Sequence, residues 1–272
     1  MNIIARDLET ENTELREELK RAQMELRRLD EMKRSFIAVA AHELRNPLAI
    51  LFGYAKLLSG CGERDVQEYA GIIVNQAWQL KNTVDAIITL QQVDAGELTL
   101  RREAASLTDA VQHVVDSRQN EIHEKELTVL TILEPQLRVY ADRERLALIL
   151  TQLLANSIKY SPTGGTITIE AQAQPSSIVV SVRDAGIGIP PEEQPHVFDR
   201  FYQGANPLTR QYNGMGLGLA VAKALVELHD GKIWLESASH RGTAIYFSLP
   251  RVFSRDENAV SAIAKYRVKM TA

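Results

Sequence analysis

The chain has one cysteine, Cys61, among 272 residues. A lone thiol forms no internal disulfide, so no cross-linked framework holds this protein, and the composition suits a reducing compartment. No Gly-x-x-x-x-Gly-Lys-Ser/Thr loop is present, which excludes a P-loop phosphate site. No apolar run reaches the length of a membrane span. The richest stretch, residues 36–58, is broken by His42, Glu43, Arg45, Asn46 and Lys56. Nothing resembles a secretory leader. The chain therefore reads as a cytoplasmic module, an expectation compatible with a membrane-anchored parent. Basic residues are not in excess: 31 Lys and Arg face 35 Asp and Glu, for a net charge of −4. Nucleic-acid binding has no electrostatic basis in that balance.

Proline and glycine are also missing from residues 1–34, which are dense in charge. Leu8, Asn12, Leu15, Leu19, Ala22, Leu26, Leu29, Lys33 and Phe36 recur at alternating steps of four and three. That is a heptad seam, and it predicts a parallel dimeric coiled coil in which Asn12 fixes register. The seam runs on without a breaker into residues 35–58. There Phe36, Val39, Ala40, Leu44, Leu48, Leu51 and Ala55 form a helical stripe. His42 and Asn46 share one face of that helix. Pro47 offers no N–H to the Glu43 carbonyl, so a bend is expected just after the histidine.

Ser59-Gly60-Cys61-Gly62 ends the first helix. A second helix is expected over 65–94, with Val66, Tyr69, Ile73, Ala77, Leu80, Val84, Ile87, Ile88 and Gln91 on its stripe. Two long helices and a short loop make an antiparallel hairpin. One hairpin cannot bury both stripes, so two chains should form a four-helix bundle. Asp94-Ala95-Gly96-Glu97 reads as a hinge into a second domain.

From about residue 100 the pattern changes. Helices are expected over Leu107–Glu124, from an Asp142 cap through Tyr160, and over Leu217–His229. Leu127–Leu133 and Arg138–Ala141 look like strands, with Glu134-Pro135-Gln136 as the turn between them. Thr166–Ala173 with Ile178–Asp184, and Lys232–Ser237 with Thr243–Leu249, look like hairpins. Helices on one face of a mixed sheet give a two-layer α/β sandwich. The expected divisions are 1–34 coiled coil, 35–96 helical hairpin, 97–252 α/β sandwich and 253–272 tail. The fold class is thus α plus α/β: coiled coil, dimeric four-helix bundle, then two-layer sandwich.

Four clusters in the second domain carry chemistry. Asn156 stands in Leu153-Leu154-Ala155-Asn156-Ser157-Ile158-Lys159-Tyr160, and an amide carbonyl is a hard oxygen ligand of the type Mg²⁺ takes. Asp184-Ala185-Gly186-Ile187-Gly188 follows an apolar strand. A buried carboxylate there would accept from an adenine amine, and the glycines would let backbone approach the base. Val197-Phe198-Asp199-Arg200-Phe201-Tyr202-Gln203 carries aromatics at helical spacing, expected to pack. Gly214-Met215-Gly216-Leu217-Gly218-Leu219 opens a helix whose first amides favour phosphate oxygens.

Taken in this order with His42-Glu43-Leu44-Arg45-Asn46-Pro47-Leu48, these clusters resemble the sensor histidine kinases of two-component systems over roughly residues 30–250. The resemblance implies a dimerisation and phosphoacceptor domain followed by an ATP-binding domain shared with gyrase-type ATPases. It implies ATP and Mg²⁺ as cofactors and His42 as the nucleophile. Glu43 would take the imidazole proton, and Asn46 would orient a water for dephosphorylation of the regulator. Asn156 would hold the metal. Lys159, Tyr160, Asp184, Gly186, Gly188, Gly214, Gly216, Leu217 and Gly218 would line the nucleotide. The implied partners are a second copy of the chain, a response-regulator receiver domain, and an upstream sensor outside this chain. Two positions depart from the family. Gln152 stands where a second asparagine is frequent, and Gln203 where many relatives carry an arginine that reaches the γ-phosphate. Arg200 is the candidate replacement. A non-autophosphorylating ATPase and a degenerate dimeric scaffold are the alternative readings.

Overall fold

The computed structural model describes residues 65–134, 137–204 and 216–252, together with helical residues 16, 19–21, 23, 24, 40, 41 and 44–58. His42, Glu43 and Gly214, most of the expected coiled coil, the Ser59–Gly62 loop and the 253–272 tail lie outside the described residues. The chain divides into two compact units, Met1–Asn82 and Thr83–Ala272.

The described residues of the first unit are almost all helical. Residues 44–58 form α1, which continues through Pro47; α2, Val66–Asp94, follows, and its residues from Thr83 on belong to the second unit. Tyr54 of α1 and Tyr69 of α2 meet with ring centroids 5.5 Å apart, so the two helices touch there. Pro47 is buried and Asn46 exposed. Leu48, Phe52, Leu57, Val74 and Trp78 remain exposed in the single chain, Phe52 at 72% and Trp78 at 58%. Large apolar side chains in a row along two helices are what a paired bundle would cover. Among the described residues, no helix is long and apolar enough to cross a membrane.

The second unit is a two-layer sandwich. Its elements run β1 (Glu103–Ser106), α3 (Leu107–Ser117), α4 (Gln119–Glu124), β2 (Thr128–Leu133), β3 (Arg138–Ala141), α5 (Arg143–Tyr160), β4 (Thr166–Ala173), β5 (Ser177–Asp184), α6 (Gly218–Leu228), β6 (Lys232–Ser237) and β7 (Thr243–Pro250). The main sheet has the order β2-β4-β5-β7-β6. β2 runs parallel to β4 and every other pair is antiparallel. Ile169, Val182, Ile245 and Leu235 stand side by side in register, and so do Ala171, Val180, Phe247 and Ile233. This face meets α5, whose Leu146, Ile149, Leu150, Leu153, Leu154 and Ile158 are buried, and α6, whose Val221, Leu225 and Val226 are buried. Each such side chain contributes about 1.5–3 kcal/mol by leaving water.

Both hairpins expected from alternation are present as antiparallel pairs. The other two expected strands form but do not pair with each other. β3 pairs with β1, and β2 joins the main sheet beside β4. The helix expected over 107–124 is two helices that part at Arg118, whose backbone leaves the helical region at φ −112°, ψ 11°.

α5 starts as its sequence dictates. Asp142 Oδ1 accepts from the Glu144 and Arg145 amides, each at 3.1 Å, and Oδ2 accepts from the Arg101 amide at 2.9 Å. The Asp142 amide itself donates to Nε2 of His229 at 3.0 Å. His229 is fully buried, and its Nδ1 lies 2.7 Å from the Leu225 carbonyl, which requires the proton on Nδ1. One imidazole therefore ties the C-terminus of α6 to the N-terminus of α5. Burial pushes its pKa down, against the pull of the Leu225 carbonyl.

Candidate nucleotide site

The site is built where β5 and β7 end beside α5. Asp184 closes β5, and register sets it opposite Thr243, the first residue of β7. Oδ1 of Asp184 accepts from the Gly186 amide at 2.9 Å and the Thr243 amide at 3.2 Å. Oδ2 faces the Ser157 hydroxyl at 3.4 Å, the long limit of a hydrogen bond. One oxygen is thus held by backbone, while the other retains capacity for a stronger donor. Burial raises the Asp184 pKa, and the three donors work against that shift.

The glycines expected around this carboxylate are places of close approach. A Cβ on Gly186 would lie 2.5 Å from the Tyr160 carbonyl and 2.8 Å from Asp184 Oδ1. Gly188 has φ +68° and lies against the Ala238 carbonyl. The turn after Asp184 therefore packs its bare backbone on the end of α5 on one side and on the β6–β7 connection on the other.

α5 carries three of the expected residues. Asn156, Lys159 and Tyr160 are half-buried. The Lys159 ammonium stands 4.9 Å from the Tyr160 ring centroid, within cation–π range. Burial lowers the Lys159 pKa and raises that of Tyr160. Across from this helix, α6 begins at Gly218 with no side chain capping its first amides. A Cβ on Gly218 would lie 2.7 Å from Gln152 Oε1 and 4.0 Å from Asn156 Nδ2. The missing Cβ leaves a cradle lined by two amides at a helix N-terminus. The Gln152 oxygen is a hard ligand beside helix amides that favour phosphate, and the Asn156 amide, whose nitrogen faces the cradle, offers a second oxygen once its side-chain amide is turned over, a donor set that suits a magnesium–phosphate group. Among the described residues, no three His, Cys, Asp or Glu side chains gather as a metal site.

Leu217 is buried and serves as packing at the head of α6. The Gly216 carbonyl accepts from the Phe201 amide at 3.0 Å, which pins the aromatic segment to the start of α6. Phe201 has φ +61°, a left-handed conformation uncommon for a non-glycine residue. Arg200 directs its guanidinium to Asp94 at the end of α2, with Nη1 and Nη2 each 2.6 Å from a carboxylate oxygen. Gln203 is exposed. Asn46 belongs to the first compact unit.

Sequence reasoning missed two members of the site, Ser157 and Thr243. Ser157 lies within the Asn156 cluster, and a serine beside an asparagine in a helix carries no signal of its own. Thr243 follows the Gly242 turn, and only strand register brings it to Asp184.

Residues 141–252 match the family described as histidine kinase-, DNA gyrase B- and HSP90-like ATPase. Residues 32–96 match the His Kinase A (phospho-acceptor) domain. The chain is 31% identical to the sensor histidine kinase WalK of Bacillus subtilis over 231 residues, covering 83% of this chain and 38% of WalK. It spans less than half the length of the curated relatives it matches. The histidine kinase AdeS of Acinetobacter baumannii superposes with a TM-score of 0.63 at 25% identity, over 77% of this chain and 97% of that one. The histidine kinase ThkA, solved with its response regulator TrrA, superposes with a TM-score of 0.61 at 24% identity, over 80% of this chain and 61% of that one.

Proposed function

We propose that this chain, which belongs to the sensor histidine kinase family by both its phosphoacceptor and its ATPase segments, transfers the γ-phosphoryl group of ATP to its own His42. The observation that carries the reading is the half-occupied Asp184 carboxylate, set beside bare glycine backbone and the Asn156–Gly218 cradle. Asp184 Oδ2 accepts from the adenine amine. Tyr160 and Lys159 line the base, and the α6 amides with Gly214, Gly216 and Gly218 receive the phosphates. Asn156 holds Mg²⁺, which when bound neutralises phosphate charge, and Gln152 flanks the same cradle.

In the transfer, one ring nitrogen of neutral His42 forms the N–P bond as the bond from the γ-phosphorus to the bridging oxygen breaks. ADP leaves, and Glu43 takes the proton from the other ring nitrogen. At cytoplasmic pH an imidazole with a pKa near ~6.5 is largely neutral and available. The phosphoryl then passes to an aspartate of a response-regulator receiver domain. Asn46, exposed one helical turn after His42, orients water for the reverse task. The exposed apolar stripe of α1 and α2 is covered by a second copy of the chain, and a sensor upstream sets the state of the bundle. Arg200 reaches the nucleotide only by exchanging Asp94 for phosphate.

Incubation with γ-labelled ATP tests the reading, with His42→Ala as the control. Label on the wild-type chain that disappears in the variant is the expected result. Free phosphate without chain label would instead make it an ATPase, and neither product would make it a scaffold.

A further inference from the structure

We propose that Lys125 is a positioning residue of the nucleotide site: its ammonium gathers the last carbonyls of α5 and so sets Tyr160 against the Asp184–Gly186 turn. The proposal deepens the ATP-site reading and rests on it.

The need for such a group is written into the end of α5. A helix leaves its last carbonyls without intrahelical donors, and a glycine in the left-handed conformation commonly supplies the closing bonds. α5 has no such glycine. It ends at Ser161, whose backbone is extended at φ −67°, ψ 144°, and whose amide serves only the Ser157 carbonyl. Pro162 follows, and it has no N–H to return to Ile158. The Ser161 hydroxyl is buried and has no hydrogen-bond partner among the described residues, so it does not close the helix either.

Lys125, from the turn between α4 and β2, fills the gap. Its Nζ donates to the carbonyls of Ile158 at 2.8 Å, Lys159 at 2.9 Å and Ser161 at 3.1 Å. An ammonium has three protons, and here all three find a carbonyl at the negative end of a helix. The Lys125 carbonyl in turn accepts from the Gly164 amide at 3.0 Å, which ties down the turn that follows α5. The one carbonyl of this group that Lys125 leaves alone, that of Tyr160, is the one packed against Gly186. Lys125 therefore grips both sides of Tyr160 without touching the base site. It fixes the distance between two elements that must hold one adenine, the α5 end and the Asp184 turn.

The test compares Lys125→Met, which keeps the stem and removes the donors, with Lys125→Arg, which keeps charge and donors. Calorimetric titration of the full chain with ADP and with a magnesium complex of AMPPNP gives the affinities, at a temperature where circular dichroism shows each variant folded. Lys125→Gln replaces Lys125→Met if the latter does not fold. The expected result is a loss of about tenfold in the donor-deleted variant. The loss should be the same for both nucleotides, because the base end is affected, and Lys125→Arg should recover most of it. Unchanged affinity in Lys125→Met overturns the proposal, and so does a loss that arginine does not recover. A wild-type chain that binds neither nucleotide overturns the ATP-site reading itself, and this assignment with it.

Discussion

Arg200 and Asp94 form a two-pronged ion pair, both guanidinium nitrogens lying 2.6 Å from the carboxylate oxygens. The partners are separated by 106 positions in sequence. Asp94 is the last residue of α2, and Arg200 immediately precedes the strained Phe201. The carboxylate raises the Arg200 pKa further, chiefly through the hydrogen bonds. Both side chains are well exposed, so the pair adds little to stability. Its consequence is exclusive occupancy: a guanidinium forked onto Asp94 is not on a phosphate.

That exclusivity predicts opposite effects from the two halves of the pair. Asp94→Ala should raise the initial rate of chain labelling from γ-labelled ATP by a few-fold, because it releases Arg200. Arg200→Ala should lower it. Rates that change in the same direction in both variants would show that the pair is only a brace.

Asp184 should govern nucleotide affinity through a single oxygen. Asp184→Asn retains an acceptor for the Gly186 and Thr243 amides but places a donor where the adenine amine must be received. A cost of about 2 kcal/mol, roughly thirtyfold in Kd, is expected from titration with ADP. Because burial raises the Asp184 pKa, wild-type affinity should also weaken on acidification at a pH above the ordinary carboxylate range. Equal affinity of Asp184→Asn and wild type would remove the carboxylate from the site.

His229 gives stability a pH dependence of definite sign. Its folded pKa is depressed, so the unfolded chain binds the extra proton first. The contribution is fully present above the unfolded value of about 6.5 and is lost as pH falls below it toward the folded pKa. Urea midpoints measured between pH 7.5 and 5.5 should fall on acidification, and His229→Gln should flatten that part of the profile. An equal slope in both proteins would contradict the buried neutral assignment.

Two glycines should respond differently to alanine. At Gly218 the obstacle is the far end of the Gln152 side chain, which can swing aside. Gly218→Ala should therefore fold with nearly wild-type stability, aided by the better helix propensity of alanine. It should nonetheless displace the Gln152 amide and weaken magnesium-dependent nucleotide binding. At Gly242, with φ +78°, the obstacle is the Asp184 carbonyl, which is backbone. Gly242→Ala should lower the thermal midpoint markedly. Indistinguishable melting of the two variants would contradict this contrast.

Much of this was legible in the sequence where the signal is local. Asp142 announces α5 because a short acidic side chain before an apolar stripe is a cap, and the structure shows it accepting from two amides of the first turn. The hairpins follow from alternation across short turns. The pairing of β2 with β4, and of β3 with β1, was not legible, because alternation says which face a residue takes but not which strand lies beside it. β1 is four residues abutting the Ser106 cap of α3, too short for a period to show. The same limit hid Thr243, brought to Asp184 by register across 59 positions. It hid Lys125 as well, a cap supplied from 33 residues upstream of Ile158. Glycines and carboxylates advertise a nucleotide site, while the groups that hold its parts at the right separation do not.

In the proposed transfer, His42 receives the phosphoryl from a nucleotide held by Asp184 and Asn156. Mass mapping of the chain after incubation with magnesium and ATP, under alkaline conditions that preserve phosphoramidates, tests it most directly. One phosphoryl group is expected, on His42, acid-labile and absent from Asn156→Ala. A phosphoryl group on any other residue, or an unmodified His42 in a wild-type chain shown to bind ATP, would contradict it.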